Sequence, residues 1–444
     1  MTQSSTNEDV QGQGESSARK IPAGIADAGF ASLATFAAGL SAVTLFNDVD
    51  RGVYALFFAA FSLGVVLPWN LVLVPAEVNA VSYALADRMR RAKATLRMGL
   101  GLSLVGSLAV LAAAFLARDL TDPDVLIMLT VTAMVTTVLS PLQDHIRRLL
   151  HISELSWRAA IVSIVQFSVV AIALSVMWLV DAPLALMPFG SLALANAASL
   201  AVGLVLARVF RQKPLEDKLS FWYLASEGRW LLAQAIVPSL AHFAVAAIVA
   251  ALAGAIVLGY AEAARVVAQP VLVFATGLTA VLAPRAMRAA MDIDISSARY
   301  ARRVFLGLVT AAGLVYLLWA STDWFGNPMA YIVPAAYVVP GLVAAMIVAN
   351  IATASLYLDS NEFLGARMAR QLSLLSILLS PILVLFAFTA GTTGAFAIPI
   401  GRTVRISINI VLLRVLLSRY YGTKGYLWAR GESKESVASE EVHR

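Results

Sequence analysis

The chain has 444 residues, of which 60% are hydrophobic and 14% charged, with a formal net charge of +6 and no cysteine. A soluble domain is roughly half apolar and about a quarter charged, so no water-soluble core hides this much apolar surface, and the missing thiols exclude disulfides, thiolate chemistry and cysteine-bound metal. What remains is a chain whose apolar runs are long enough to cross about 30 Å of hydrocarbon as helices, where each backbone N–H and C=O must be paired within its own segment.

Residues 1–20 are rich in Ser, Gln, Glu and Gly and place no apolar core behind a basic start, which is unlike a cleavable signal peptide; a disordered cytosolic tail is expected over 1–23. Apolar runs then predict helices over 24–46, 53–81, 98–117, 124–143, 159–180 and 185–210, a first lobe of six spanning 24–210. A basic, partly polar connection follows over 211–230. Further runs predict helices over 231–254, 260–284, 304–320, 330–356, 372–390 and 394–417, a second six-helix lobe over 231–417. The segment 418–444 mixes Glu432, Glu435, Glu440 and Glu441 with Lys and Ser and reads as a second disordered cytosolic tail. The fold class is therefore an all-α integral membrane protein with about a dozen spans.

Lys and Arg concentrate in alternate loops. Arg88, Arg90, Arg91, Lys93 and Arg97 share a side with Arg147, Arg148 and Arg158, with the group from Arg208 to Arg229, with Arg285 to Arg303, and with Arg367 and Arg370. The opposite loops hold Arg51 and Arg118 beside Asp48, Asp50, Asp119, Asp122, Asp181 and Asp323. The positive-inside rule places both termini in the cytosol of a multi-pass protein of the cytoplasmic membrane. It also accounts for the net positive charge without nucleic acid. Short external loops leave no room for a catalytic domain.

No Walker loop, no His-Glu-x-x-His and, with 4 His, no zinc cluster is present; Gly99-Leu100-Gly101 lies in an apolar run without the strand and acidic partner of a dinucleotide site. The chain is read as a non-enzyme, with no catalytic residue, metal or cofactor. Proline recurs inside the predicted helices at Pro68, Pro75, Pro141, Pro188, Pro238, Pro270, Pro334, Pro340, Pro381 and Pro399, either as kinks lining a cavity or as the ordinary enrichment of Pro in membrane helices. A weak repeat relates Val53-Tyr54-Ala55 and Val74-Pro75-Ala76-Glu77 to Gly259-Tyr260-Ala261 and Ala283-Pro284-Arg285.

An ionisable side chain at the centre of a membrane helix costs at least about 2.5–3.5 kcal/mol unless it meets water or a partner. Arg402 and Arg405 lie on one face of the last helix and are candidates for a hydrated cavity; Arg414, nearer the cytosol, reads as snorkelling. Glu262 and Arg265, three apart, either neutralise each other or serve a site. Asp27, Glu77, Glu262 and His242 are candidates for ion coupling, against the alternative of packed, hydrogen-bonded side chains.

Three stretches carry a family resemblance: residues 46–60 with Asp50-Arg51-Gly52-Val53-Tyr54-Ala55-Leu56; Gln143-Asp144-His145-Ile146-Arg147-Arg148, placed in a cytosolic loop; and residues 254–284 with Leu258-Gly259-Tyr260-Ala261 and Ala283-Pro284. In order and spacing they resemble the polysaccharide flippases of the multidrug, oligosaccharidyl-lipid and polysaccharide (MOP) exporter superfamily. The resemblance implies two six-helix lobes around a central cavity that opens alternately to either side, and a polyprenyl-diphosphate-linked oligosaccharide as cargo. Polysaccharide polymerase or glycosyltransferases are the implied protein partners. Arg402, Arg405 and Arg265 would hold the diphosphate and sugar. The lipid II flippase branch carries arginines in its first helix, where this chain has Asp27 and no Arg, so the oligosaccharide or teichoic-type branch is the expected one. Two other readings stay open: a cation-coupled multidrug exporter using Asp27, Glu77 and Glu262, and a non-transporting scaffold of a polysaccharide synthase complex.

Overall fold

The computed structural model describes residues 17–81, 83, 87–211, 219–321 and 339–422. The N-terminal tail up to residue 16, Lys213 and Lys218 of the connection, Asp323, Pro334 and the tail from residue 423 lie outside the described residues. Among the described residues, twelve helices are long and apolar enough to cross a membrane. They are α1 (Ser17–Leu45), α2 (Asp48–Ala80), α3 (Ala92–Ala117), α4 (Pro123–Ile152), α5 (Ser156–Leu179), α6 (Leu184–Leu206), α7 (Phe221–Ala253), α8 (Ala255–Met291), α9 (Ile295–Ser321), α10 (Leu342–Gly365), α11 (Ala369–Ala387) and α12 (Ala390–Tyr420). The chain is a multi-pass, all-helical membrane protein, and it divides into two compact units, Met1–Ser239 and Leu240–Arg444.

Several helices outrun the apolar windows that predict them. Helix α4 continues from 143 to Ile152, α7 starts at Phe221 inside the segment assigned to the connection, α8 runs on to Met291, and α9 starts at Ile295 rather than 304. Charge ends an apolar window, yet Arg, Gln and Glu are good helix formers, so the backbone ladder continues beyond the hydrocarbon. The motif Gln143 to Arg148, expected in a loop, is thereby held on a helix, with Gln143 and His145 buried. The prolines also divide. Pro68, Pro141, Pro238 and Pro381 lie within helices, whereas Pro188 lies in the first turn of the α-helical part of α6, just after the 3₁₀ turn Leu184–Leu186, a position where proline is favoured.

Within unit 1, α1, α5 and α6 meet through Ala34, Ala38, Val170, Leu192 and Ala195, while Ile146, Leu149 and Leu150 of α4 pack on Ala92 and Val162. Small residues set the closest approach, because lipid offers helices no hydrophobic drive to associate and tight van der Waals contact must supply it. Gly64 and Gly106 show this directly: a Cβ at Gly106 would sit 2.2 Å from the Gly64 carbonyl oxygen, so the α2 and α3 backbones touch. In unit 2 the corresponding core is Ala275, Ala301, Phe305, Val309, Ala354 and Leu358 from α8, α9 and α10.

Helix α2 carries a π turn at Trp69–Leu73 immediately after Pro68. Proline removes one ladder donor and the wider turn accommodates the loss. In α8 the carbonyls before Pro270 are met from neighbouring helices: Val267 accepts from the Tyr316 hydroxyl at 2.7 Å, and Ala268 from Asn350 Nδ2 at 2.8 Å.

Candidate functional site

In unit 1 the 143–151 segment of α4 places its polar side chains on four neighbouring helices, α1, α2, α3 and α5. Gln143 Nε2 donates to Gln166 Oε1 at 3.4 Å, and Gln166 Nε2 to Asn196 Oδ1 at 2.8 Å, a chain of amides from α4 through α5 to α6. Arg147 reaches Asp27 of α1 at 3.3 Å and Asp144 at 2.9 Å. Asp27 also accepts from the Ser163 hydroxyl at 2.5 Å and lies 2.9 Å from His151 Nε2. Glu77 of α2 is 2.9 Å from His145 Nδ1, whose Nε2 is 2.9 Å from the Thr95 hydroxyl of α3. Arg148 stands 4.0 Å from Glu77, half exposed, with its guanidinium stacked 4.3 Å from the Trp69 ring centroid. Asp27 and Glu77, the two carboxylates of unit 1 singled out from the sequence, thus each have basic partners there.

Unit 2 holds the arginines. Arg265 grips Glu262 through two hydrogen bonds of 2.6 and 2.7 Å. Arg402 and Arg405 of α12 are half-buried and, among the described residues, have no carboxylate partner; the Arg405 Nε is a buried donor without an acceptor. Arg402 lies within electrostatic range of Arg265, Arg405 and the Tyr357 phenol, which hydrogen-bonds Thr276. All three predicted arginines therefore meet in one region of unit 2, and Tyr357 of α10 joins them. Two positively charged side chains left unmatched in a membrane helix present a field that an anion or water must answer. His242, by contrast, sits on an exposed face of α7 rather than in a buried polar cluster.

A further ionic cluster joins α9, α10 and α12. Arg302 lies 2.8 Å from Asp359 and also binds Glu362, Arg414 reaches Asp359 at 3.4 Å, and the Tyr421 hydroxyl meets Glu362 at 2.9 Å. Arg414 is accordingly an ion-pair partner and not a snorkelling residue. Its sequence signal is the three-residue spacing of Asp359 and Glu362 in an apolar run, which places two carboxylates on one helix face. His145, His151 and Ser163 carry no comparable signal, since each matters only through a partner on another helix.

No family model and no curated protein matches the chain. Solved structures do. The chain is similar to an inward-facing multidrug resistance MATE family transporter of the MOP superfamily, with a TM-score of 0.72 at 14% identity over 89% of this chain and 96% of that one. This chain has the MOP-transporter fold. It is also similar to MATE in its straight conformation, with a TM-score of 0.61 at 16% identity over 91% of this chain and 96% of that one. A third likeness is to a MOP superfamily transporter from Pyrococcus furiosus, described as having a binding pocket of reverse polarity that suggests a different function; the TM-score is 0.58 at 16% identity, over 91% and 95%.

Proposed function

We propose that the chain is an alternating-access flippase that carries a polyprenyl-diphosphate-linked oligosaccharide across the cytoplasmic membrane, both termini cytosolic, within polysaccharide biosynthesis. The observation that carries this reading is the pair Arg402 and Arg405, without carboxylates among the described residues and joined by Arg265 and Tyr357. Arginine presents a permanently charged planar fork that matches diphosphate oxygens two at a time. Such an anion would offset the about 2.5–3.5 kcal/mol that each unpartnered charge costs at membrane depth. Tyr357 adds a hydroxyl suited to phosphate or sugar oxygen, and the polyprenyl tail stays in lipid.

The fold is equally compatible with a multidrug exporter, since the neighbours include MATE transporters. Electrostatics favours the anionic cargo. An organic cation wants an unpaired carboxylate, and Asp27, Glu77 and Glu262 each have a basic partner within 2.9 Å.

Deletion of the gene should accumulate the lipid-linked oligosaccharide on the cytosolic leaflet. Arg402→Ala or Arg405→Ala should fail to restore export while the protein remains in the membrane at wild-type level. Full complementation by both variants would refute the binding assignment, and drug sensitivity without accumulation would support the exporter.

A further inference from the structure

Helix α6 turns one continuous face outward. Leu194, Ala197, Ala201 and Val205 are exposed, at the three- and four-residue steps that return to the same side of a helix, and none of them is polar. From Leu194 to Val205 the rise is about 16 Å at about 1.5 Å per residue, which matches half of a hydrocarbon layer about 30 Å thick. The stripe is thus as long as the acyl layer of one leaflet. Being apolar throughout, it suits acyl chains rather than water.

The stripe ends against two arginines. Just after α6 the chain makes a short 3₁₀ turn, Val209–Arg211, pinned by the buried Val209, which packs in the core with Ile146, Leu149 and Val162. That anchor leaves Arg208, Phe210 and Arg211 outside, and with Leu204 and Val205 they line a groove of about 280 Å³. Val205 and Phe210 are each 72% exposed. Cations at a helix C-terminus commonly answer its last carbonyls, but here Arg158 of α5 does so, donating to the Leu206 carbonyl oxygen at 3.0 Å. Among the described residues neither Arg208 nor Arg211 has a carboxylate partner. The sequence from Arg208 to Lys218 holds four basic residues against Glu216 and Asp217, so the stretch stays positive whatever pairs form. Arg208 is also held at φ 51°, a left-handed position ending α6 where glycine is the favoured residue. Backbone preference therefore does not account for an arginine there.

We propose that this groove binds an anionic phospholipid of the leaflet on the side of the basic loops, its phosphate between Arg208 and Arg211 and its acyl chains on Val205 and Phe210 and along the α6 stripe. Guanidinium forks match phosphate oxygens, and the apolar half of the groove offers nothing to a free phosphate. Neither arginine enters the transport reading above, so the two stand or fall separately.

The test titrates the full-length protein in neutral detergent with phosphatidylglycerol or phosphatidylcholine, counting bound lipid by native mass spectrometry and following the melting temperature. Phosphatidylglycerol should bind and raise the melting temperature, with phosphatidylcholine about tenfold weaker or more. Arg208→Gln and Arg211→Gln should each lower the affinity for phosphatidylglycerol about tenfold, the loss of one charge-assisted contact. Arg303→Gln, at an exposed arginine of unit 2, should leave it unchanged. Arg208→Gly separates binding from folding: relief of the left-handed strain should raise the lipid-free melting temperature by about 1–2 °C, while the gain from phosphatidylglycerol is lost. An equal loss with Arg303→Gln would reveal a diffuse basic surface, and displacement of the lipid by an equal concentration of inorganic phosphate would reveal a free-anion site; either overturns the proposal. Equal binding of the two lipids also overturns it, as does an Arg208→Gly variant that keeps the lipid response or melts below the wild type without lipid.

Discussion

Charges buried against helices divide into those held by partners and those left for a ligand, and substitutions should separate them. Arg302 serves both Asp359 and Glu362 and is 3% exposed. Arg302→Ala strands carboxylates that cannot reach water, a change that costs about 3–5 kcal/mol for a buried pair; it should appear as a clear fall in the detergent melting temperature. Arg405→Ala removes a donor that has no protein acceptor, so it should leave the melting temperature close to wild type while abolishing cargo binding. At the surface, Asp294 caps α9 by accepting from the Ser296 and Ser297 backbone N–H groups at 3.0 and 3.2 Å and from the Ser296 hydroxyl at 2.6 Å. These bonds favour the ionised carboxylate and hold its pKa down to about 2, from 3.8. Its contribution is therefore present above the unfolded value of 3.8 and is lost as pH falls from there through about 2. Asp294→Ala should cost about 1 kcal/mol at neutral pH, and the gap to wild type in thermal denaturation should close as the pH approaches the folded value. Asp27, Glu77, Arg402 and Arg405 were legible in one dimension because a charge interrupts an apolar run. Their partners were not: Glu77 and His145 are 68 residues apart and Asp27 and Ser163 136 apart, and no periodicity encodes a register between spans.

Helix count and order followed from hydropathy, since about 20 apolar residues fill the bilayer. Helix ends did not, because hydropathy marks where a helix leaves hydrocarbon while the ladder ends only at a cap. The 143–151 segment lies in that blind zone, which is why its partners emerge only from the structure. Contacts between backbones were equally hidden. Gly228 of α7 would place a Cβ 2.5 Å from the Asn70 and Leu71 carbonyl oxygens of the α2 π turn, and Gly64 faces Gly106 across α2 and α3. Gly106→Ala should force these helices apart at a cost of about 1–3 kcal/mol, read as a lower melting temperature with the protein still inserted. Gly228→Ala should perturb α2 at its π turn, seen as increased exchange of the Trp69 to Leu73 amides.

At the level of the whole molecule, two helical units of the MOP-transporter fold carry opposite electrostatic characters: in unit 1 the buried carboxylates are matched by Arg147, His145 and His151, and in unit 2 Arg402 and Arg405 are left over. The proposed anionic, lipid-linked cargo rests on that asymmetry. The most direct measurement is translocation by the purified protein in liposomes, using a fluorescent polyprenyl-diphosphate sugar beside a cationic dye. The proposed function requires wild type to move the diphosphate lipid and not the dye, with Arg402→Ala and Arg405→Ala slower by about tenfold or more, the loss of one charge-assisted contact of about 1.5–3 kcal/mol. Transport of the dye with the diphosphate lipid left in its leaflet, or unchanged lipid translocation by both alanine variants, would contradict it.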